Sequence, residues 1–300
     1  MLAASRLMQA MPGYTFGPRT PERRGASTTT SDGRLLGDNG NVPFTLAHGA
    51  AALPFRRSRL IFSGLLVGTF APDFEYFLRL NIHGRFGHSL LGTFVLTLPL
   101  ALLVLWLFHA FVKFPLARLL PDAIQRRLTS HVGKFHFGGP ARIALIVGSI
   151  LIGIMTHLLW DSFTHPNTWP FRHWGVLGQT IQVPMLGLIP LYKVLQHGST
   201  IAGVGIFSIW LVCRYRATEP CNQGLRNAAS LTQKIAIGVF MTTVAMAGGI
   251  VRAVAVGGIP HDHSSDRRFV SVLMVAAIAL VWWQLVAYGI FSTTHSDSGV

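Results

Sequence analysis

The sequence predicts an all-α integral membrane protein, a bundle of about six transmembrane helices preceded by a short N-terminal helical hairpin. Half of the 300 residues are hydrophobic and only 12% are charged, whereas soluble domains carry about 25% charged residues. Residues 90–112 and 269–291 contain no Asp, Glu, Lys or Arg. Each stretch is long enough to cross a bilayer core as a helix, which takes roughly 20 apolar residues. The alternating pattern of a membrane barrel is missing, so closed helices must satisfy the backbone.

The order of segments along the chain predicts the organisation of this bundle. Residues 1–42 are rich in Gly, Pro, Ser, Thr and Arg and lack apolar periodicity, which predicts a disordered extension. The apolar segments that follow lie at 44–54, 60–72, 90–112, 141–163, 199–213, 235–256 and 269–291. The first two are short for full spans and predict the hairpin, either spanning or half-inserted. We divide the rest into a helical core (43–213), a basic loop (214–234) and C-terminal helices (235–300).

The basic residues predict how the bundle is oriented. The chain carries a formal charge of +14, but its Lys and Arg residues cluster in the links between apolar segments, mainly 113–142 and 214–234. Such clusters keep loops in the cytoplasm, which predicts a protein of the bacterial cytoplasmic (inner) membrane. No zinc-finger or RNA-binding signature accompanies the charge, so we expect no nucleic-acid partner. The link 164–198 contains tryptophans and prolines and suits an interfacial segment.

The stretch "THLLWDSFTHP", residues 156–166, places potential metal ligands at the end of an apolar segment. His157 and Asp161 are four residues apart and therefore lie on one face of a helix. His165 precedes a proline, which predicts that the helix ends there. In the predicted orientation, the other ionisable residues at the outward ends of apolar segments are His48, Asp73, Glu75, His83 and His88.

Ionisable residues near membrane depth indicate a functional site by default, and imidazole with carboxylate suits zinc, iron or manganese. We predict a divalent metal ion, zinc first, held by His48, Asp73, His88, His157 and Asp161. Glu75 is the candidate general base, and a developing negative charge could be steadied by His165, or by Lys193 and His197. The alternative is a structural polar network in which Asp161 pairs with a residue such as Arg172 and Asp73 caps a helix.

A site at headgroup level predicts hydrolysis of an ester or phosphoester, such as a lipid-linked substrate, beside the lipid bilayer. The competing hypothesis is a non-enzymatic protein, either a metal-handling permease or a structural envelope component. A permease would place ionisable residues along a path at mid-membrane depth. Only Arg252 lies deep inside a long apolar segment, where we expect it to pair within the bundle. This distribution favours a surface site.

Five stretches resemble a family of bacterial membrane proteins, domain of unknown function 4184 (DUF4184). They are "PFTLAHGAAALP" (43–54), "GTFAPDFEYFLRL" (68–80), "HGRFGHSLLGTF" (83–94), "THLLWDSFTHP" (156–166) and "YKVLQHGST" (192–200). Their His and acidic residues follow an order similar to that of inner-membrane metal-dependent hydrolases and, more distantly, helical zinc-dependent phospholipases C. Asp73-Phe74-Glu75 stands where the hydrolases have Asp-x-Asp. Members of the family open with Met-Pro-Phe-Thr, so the resemblance implies a start at Val42 and an extension before it.

Overall fold

The computed structural model describes residues 45–128, 133, 135–166, 168–184, 187–221 and 229–296. This part of the chain is about 79% helical, and five of its helices are long and apolar enough to cross a membrane. These five are α3 (Leu90–Leu119), α5 (Pro140–Thr164), α7 (Leu191–Ala217), α8 (Leu231–Gly257) and α9 (His263–Ser296). Shorter helices are α1 (Phe62–Phe70), α2 (Phe74–Arg79), α4 (Asp122–Leu128) and α6 (Trp169–His173). The predicted N-terminal extension, 1–42, lies outside the described residues.

The region predicted as a hairpin forms a 3₁₀ helix, Thr45–Phe55, followed by α1. A 3₁₀ helix of 11 residues is unusually long, since runs beyond three or four residues are uncommon. It is held by close packing on α7, where a Cβ added at Gly203 would lie 2.7 Å from the carbonyl oxygen of Ala47. Neither element is long enough to count among the five candidate spans, whereas the sequence predicted about six.

Helix α3 contains two π-helical turns, Thr93–Thr97 and Phe108–Val112. Each turn comes shortly before a proline, Pro99 or Pro115. Proline has no N–H and collides with the carbonyl four residues earlier, and a wider π turn accommodates the disrupted ladder. The helix therefore continues through both prolines as one long element.

Two glycines allow α1 and α5 to pack with their backbones in contact. A Cβ added at Gly153 would lie 2.3 Å from the carbonyl oxygen of Leu65, and one added at Gly68 would lie 2.2 Å from that of Ile150. Small residues permit such close approach between membrane helices. The contact brings the C-terminal end of α1, including the Thr69 carbonyl, against the face of α5 that carries His157.

The link between α5 and α7 contains the one sheet among the described residues, an antiparallel pair of β1 (Thr180–Val183) and β2 (Gly187–Pro190). Thr180 pairs with Pro190 and Val183 with Gly187. The sequence analysis did not anticipate this hairpin, because a four-residue strand carries too little periodicity to be recognised.

The ends of the long helices gather in two groups. The basic links contact one another at one end, where Lys234 Nζ lies 2.6 Å from Asp122 Oδ1 and the Cys221 amide donates to the Arg126 carbonyl. The residues predicted as metal ligands gather at the other end, beside the start of α3 and the last turns of α5. This arrangement agrees with both basic links facing the same side of a membrane.

Arg252, near the end of α8, closes the C-terminus of α2. Its Nε donates to the Leu80 carbonyl at 3.0 Å, and its second guanidinium nitrogen donates to the Arg79 carbonyl at 3.1 Å. Leu80 has a φ of 48°, the left-handed conformation that often ends a helix. The partner of this arginine within the bundle is therefore backbone rather than a carboxylate.

Candidate functional site

The five predicted ligands come from four separate parts of the chain and meet in one cluster. His48 lies on the 3₁₀ helix, Asp73 ends the turn Ala71–Asp73, His88 precedes α3, and His157 and Asp161 occupy successive turns of α5. All are buried except His88, whose side chain is 22% exposed. We call this set the His/Asp cluster.

Within the cluster each imidazole faces one or both carboxylates through its Nε2 atom. His157 Nε2 lies 3.2 Å from Asp161 Oδ2 and 3.6 Å from Asp73 Oδ1. His88 Nε2 lies 3.5 Å from Asp73 Oδ1 and 3.7 Å from Asp161 Oδ2. His48 Nε2 lies 3.5 Å from Asp161 Oδ1. Three imidazoles therefore point the same ring nitrogen at two carboxylates.

These separations are long for hydrogen bonds between charged partners, which measure about 2.7–2.9 Å. Asp73 Oδ1, His157 Nε2 and Asp161 Oδ1 are buried, yet no hydrogen-bond partner for them is found in the described part of the chain. Most buried polar atoms are hydrogen-bonded, so such exceptions require an explanation. A regular tetrahedron of ligands about 2.0–2.1 Å from a zinc ion has edges of about 3.3–3.4 Å. The observed nitrogen–oxygen separations of 3.2–3.7 Å are close to that spacing.

The tautomer of His157 is set by the backbone of α1. Its Nδ1 lies 2.8 Å from the Thr69 carbonyl oxygen, which can only accept, so Nδ1 carries a proton and Nε2 is the ring nitrogen that faces the cluster. A hydrogen bond of this kind from the second ring nitrogen orients metal-ligating histidines. Its observed partner is the carbonyl brought in by the Gly68–Gly153 contact.

Asp73 is held by Thr45, whose hydroxyl donates to Asp73 Oδ2 at 2.7 Å. The carboxylate makes no capping bond to the start of α2, so it does not act as the alternative N-cap. Burial raises the pKa of Asp73, but the imidazoles of His157 and His88 outweigh it and hold the pKa below its usual range. The carboxylate is therefore ionised and keeps Oδ1 directed into the cluster.

His48 stacks on His157 with ring centroids 3.9 Å apart. Burial and then the neighbouring His157 lower the pKa of His48 to about 4. A neutral imidazole at physiological pH retains a lone pair, which metal coordination requires.

Two groups of three residues have ligand atoms close enough to hold an ion: His48, His157 and Asp161, and Asp73, His88 and His157. Both groups share His157, whose other nitrogen is occupied by Thr69. One nitrogen can bind only one ion at a time, so the geometry suits a single ion more readily than two.

Glu75, the predicted general base, has both carboxylate oxygens engaged. Arg79 donates from Nε and a second guanidinium nitrogen to Oε1, each at 2.9 Å, and the Gly87 amide donates to Oε2 at 2.8 Å. These bonds tie α2 to the loop that carries His88. They favour a positioning role for Glu75 over proton abstraction.

His165 lies beside the cluster as predicted, because α5 ends at Thr164 before Pro166. Its Nδ1 is 3.8 Å from Asp161 Oδ1 and 3.3 Å from the Asp161 carbonyl, and its Nε2 is 3.3 Å from the side-chain amide of Gln196. No contact among the described residues brings Lys193 or His197 to the cluster.

The cluster opens into a cavity of about 1360 Å³. The loop 82–88, the end of α5, the junction after α8 and the start of α9 contribute to its wall, which includes His88, Asp161 and His165. Arg172 also lines this cavity but forms no ion pair with Asp161 among the described contacts. The buried ligands can therefore be reached through the edge formed by His88 and Asp161.

Two contributors to the site were missed in the sequence: the Thr45 hydroxyl and the Thr69 carbonyl. Thr45 belongs to the stretch "PFTLAH", but nothing in one sequence distinguishes a hydroxyl that bonds to a ligand carboxylate from a surface one. A backbone carbonyl leaves no sequence signal at all.

The comparisons with known proteins identify a family but no activity. The family described as a domain of unknown function, DUF4184, matches residues 42–290, which is most of the chain. This confirms the resemblance to that family and does not extend to the metal-dependent hydrolases. No curated protein and no solved structure matches the chain.

Proposed function

Because the chain belongs to the DUF4184 family, whose function is unknown, we propose a function from the site itself: a metal-dependent hydrolase embedded in the bacterial inner membrane. Its substrate is an ester or phosphoester, in the simplest case lipid-linked, and it acts at the outer face. The five apolar helices that support membrane embedding are consistent with contact with the bilayer.

The observation that carries the proposal is the set of buried ligand atoms without hydrogen-bond partners. A structural polar network would be expected to close its hydrogen bonds, since an unpaired buried group costs about 1–3 kcal/mol. Asp73 Oδ1 instead lies 3.6 Å from His157 Nε2, and Asp161 Oδ1 lies 3.5 Å from His48 Nε2, close to the spacing of metal ligands. We infer one divalent ion at this place, and imidazole with carboxylate oxygen favours zinc, with iron or manganese next.

The ion would supply a Lewis acid that activates water and polarises the scissile bond at neutral pH. The chain's own contribution is to hold the ligands, admit substrate through the cavity and move a proton. His165 is the candidate to move the proton, because it lines the cavity and its Nδ1 lies 3.8 Å from Asp161 Oδ1. Glu75 holds the His88 loop in place.

A non-enzymatic role in metal handling is the competing function. A permease would need ligands along a path through the bundle, whereas the cluster sits at one end and opens on one side. Arg252 is the one charged residue that the sequence places deep inside a long apolar segment, and in the structure it donates a hydrogen bond to the Leu80 carbonyl at the end of α2. We therefore place the hydrolase first.

The test begins with metal content. Wild-type protein purified in detergent without added metal should contain about one equivalent of zinc by elemental analysis. His157→Ala and Asp161→Ala should lose it while still inserting in the membrane. His109→Ala is the matched control, since His109 is a half-buried histidine stacked on Phe135 away from the cluster.

Activity is measured on short-chain phospholipids and on soluble phosphodiesters and carboxylic esters. We expect turnover that depends on metal and falls when His165 is replaced by glutamine. A wild type without metal, or ligand variants that keep it in full, would overturn the metal centre. Stoichiometric metal without turnover of any ester class would leave metal handling as the function.

A further inference from the structure

The cavity beside the His/Asp cluster carries an excess of positive charge. Four arginines and two carboxylates line it. Arg79 is paired with Glu75, whereas Arg85, Arg172 and Arg268 are exposed and pair with no carboxylate in the described part of the chain. We call these three residues the arginine rim.

The position of the arginine rim is not explained by membrane topology. Basic residues that orient a membrane protein gather on the cytoplasmic side, and in this chain the basic links contact each other at the opposite end of the bundle. The rim comes from three separate elements: the loop before α3, helix α6 and the start of α9. Their convergence on one cavity indicates a ligand.

The cavity also offers apolar surface. Phe86, Leu158, Trp169 and Phe269 line it together with the arginines. Its volume of about 1360 Å³ exceeds the roughly 300–1,000 Å³ typical of small-molecule pockets. A free inorganic anion would leave most of this space unfilled, whereas a headgroup with part of an acyl chain would occupy it.

The carboxylate of Asp161 connects this cavity with the His/Asp cluster. Asp161 is only 8% exposed, lines the cavity and has one carboxylate oxygen without a hydrogen-bond partner. His88 and Asp161 of the His/Asp cluster therefore line the same cavity as the arginine rim. An anion held by the rim would lie in the same chamber as the groups proposed to act on it.

We propose that the arginine rim binds the phosphate group of an anionic amphiphile and selects it as the substrate of the neighbouring site. Guanidinium groups bind phosphate through paired, charge-assisted hydrogen bonds, and the apolar wall receives the chain. The choice of phosphoester over neutral ester rests on the proposed hydrolase, while the binding itself does not.

Binding is measured by native mass spectrometry on the full chain in a non-ionic detergent. The probes are dioctanoyl phosphatidic acid and dioctanoyl phosphatidylcholine, with inorganic phosphate as a competitor. We expect phosphatidic acid to bind at least tenfold more tightly than phosphatidylcholine. Arg172→Gln and Arg268→Gln should each weaken it about tenfold. Arg267→Gln is the matched control, an exposed arginine next to Arg268 that does not line the cavity.

Equal affinity for the two lipids, or wild-type affinity in both arginine variants, overturns the inference. Inorganic phosphate binding as tightly as phosphatidic acid overturns the amphiphile and leaves a free phosphate as ligand. His157→Ala separates the two proposals, because it should abolish zinc binding and hydrolysis while keeping phosphatidic acid. If the wild type binds phosphatidic acid through the arginines but contains no metal, the arginine rim is supported and the hydrolase is overturned. If the wild type contains metal but binds both lipids equally, the arginine rim is overturned and the metal centre is supported.

Discussion

Removal of the Thr45 hydroxyl tests whether Asp73 is a metal ligand held in place by a hydrogen bond from Thr45. Thr45 donates to Asp73 Oδ2 at 2.7 Å, and the carboxylate is 0% exposed. A hydrogen bond to a charged group contributes about 1.5–3 kcal/mol. Loss of a residue that hydrogen-bonds to a metal ligand costs about 10–100-fold in metal affinity, equivalent to roughly 1.4–2.7 kcal/mol at 1.36 kcal/mol for each factor of ten. The two scales agree, so we expect Thr45→Val to weaken zinc binding by 10–100-fold.

The assay is competitive titration of zinc against a chelator of known affinity, on protein stripped of metal in detergent. Thr45→Ser keeps the hydroxyl and should bind zinc within a fewfold of wild type. Thr156→Val is the control, because its hydroxyl bonds only to the Gly153 carbonyl of its own helix although it adjoins His157. Equal zinc affinity in Thr45→Val and wild type would refute the reasoning, as would an equal loss in Thr156→Val.

Three further outcomes follow from the structure. His48 has a pKa of about 4 in the folded chain against 6.5 when unfolded. Metal-free protein should therefore lose thermal stability as the pH falls from about 6.5 towards 4. A His48→Gln variant that loses just as much stability over this pH range would contradict this. Arg252→Leu should lower the free energy of unfolding by about 2 kcal/mol, because two hydrogen bonds from a charged group are lost at a half-exposed position. Arg252→Lys should recover part of this loss. An unchanged melting temperature in the leucine variant would argue that the bonds from Arg252 to the end of α2 do not stabilise the fold. Cysteine labelling in intact cells should find 113–142 and 214–234 protected as cytoplasmic loops and 164–198 accessible; the reverse pattern would invert the predicted orientation.

The sequence by itself determined the membrane class and most of the candidate ligands. Uncharged stretches of more than 20 residues have few physical alternatives to a membrane helix. The i, i+4 spacing of His157 and Asp161 fixes their common face on any helix. Ionisable residues are so costly beside lipid that their positions at the ends of apolar segments already marked His48, Asp73 and His88. These inferences depend on local chain geometry and solvation, both of which one sequence contains.

The tertiary structure alone decided which partners these residues have. Whether a carboxylate is free or engaged depends on partners distant in the chain: Glu75 is occupied by Arg79 and the Gly87 amide, while Asp73 keeps one oxygen open. The ring of His157 is oriented by the Thr69 carbonyl across a glycine contact between two helices. Such pairings are long-range and often involve backbone atoms, which have the same chemistry at every position, so the sequence cannot distinguish them. The arginine rim is likewise a product of three distant segments meeting at one cavity.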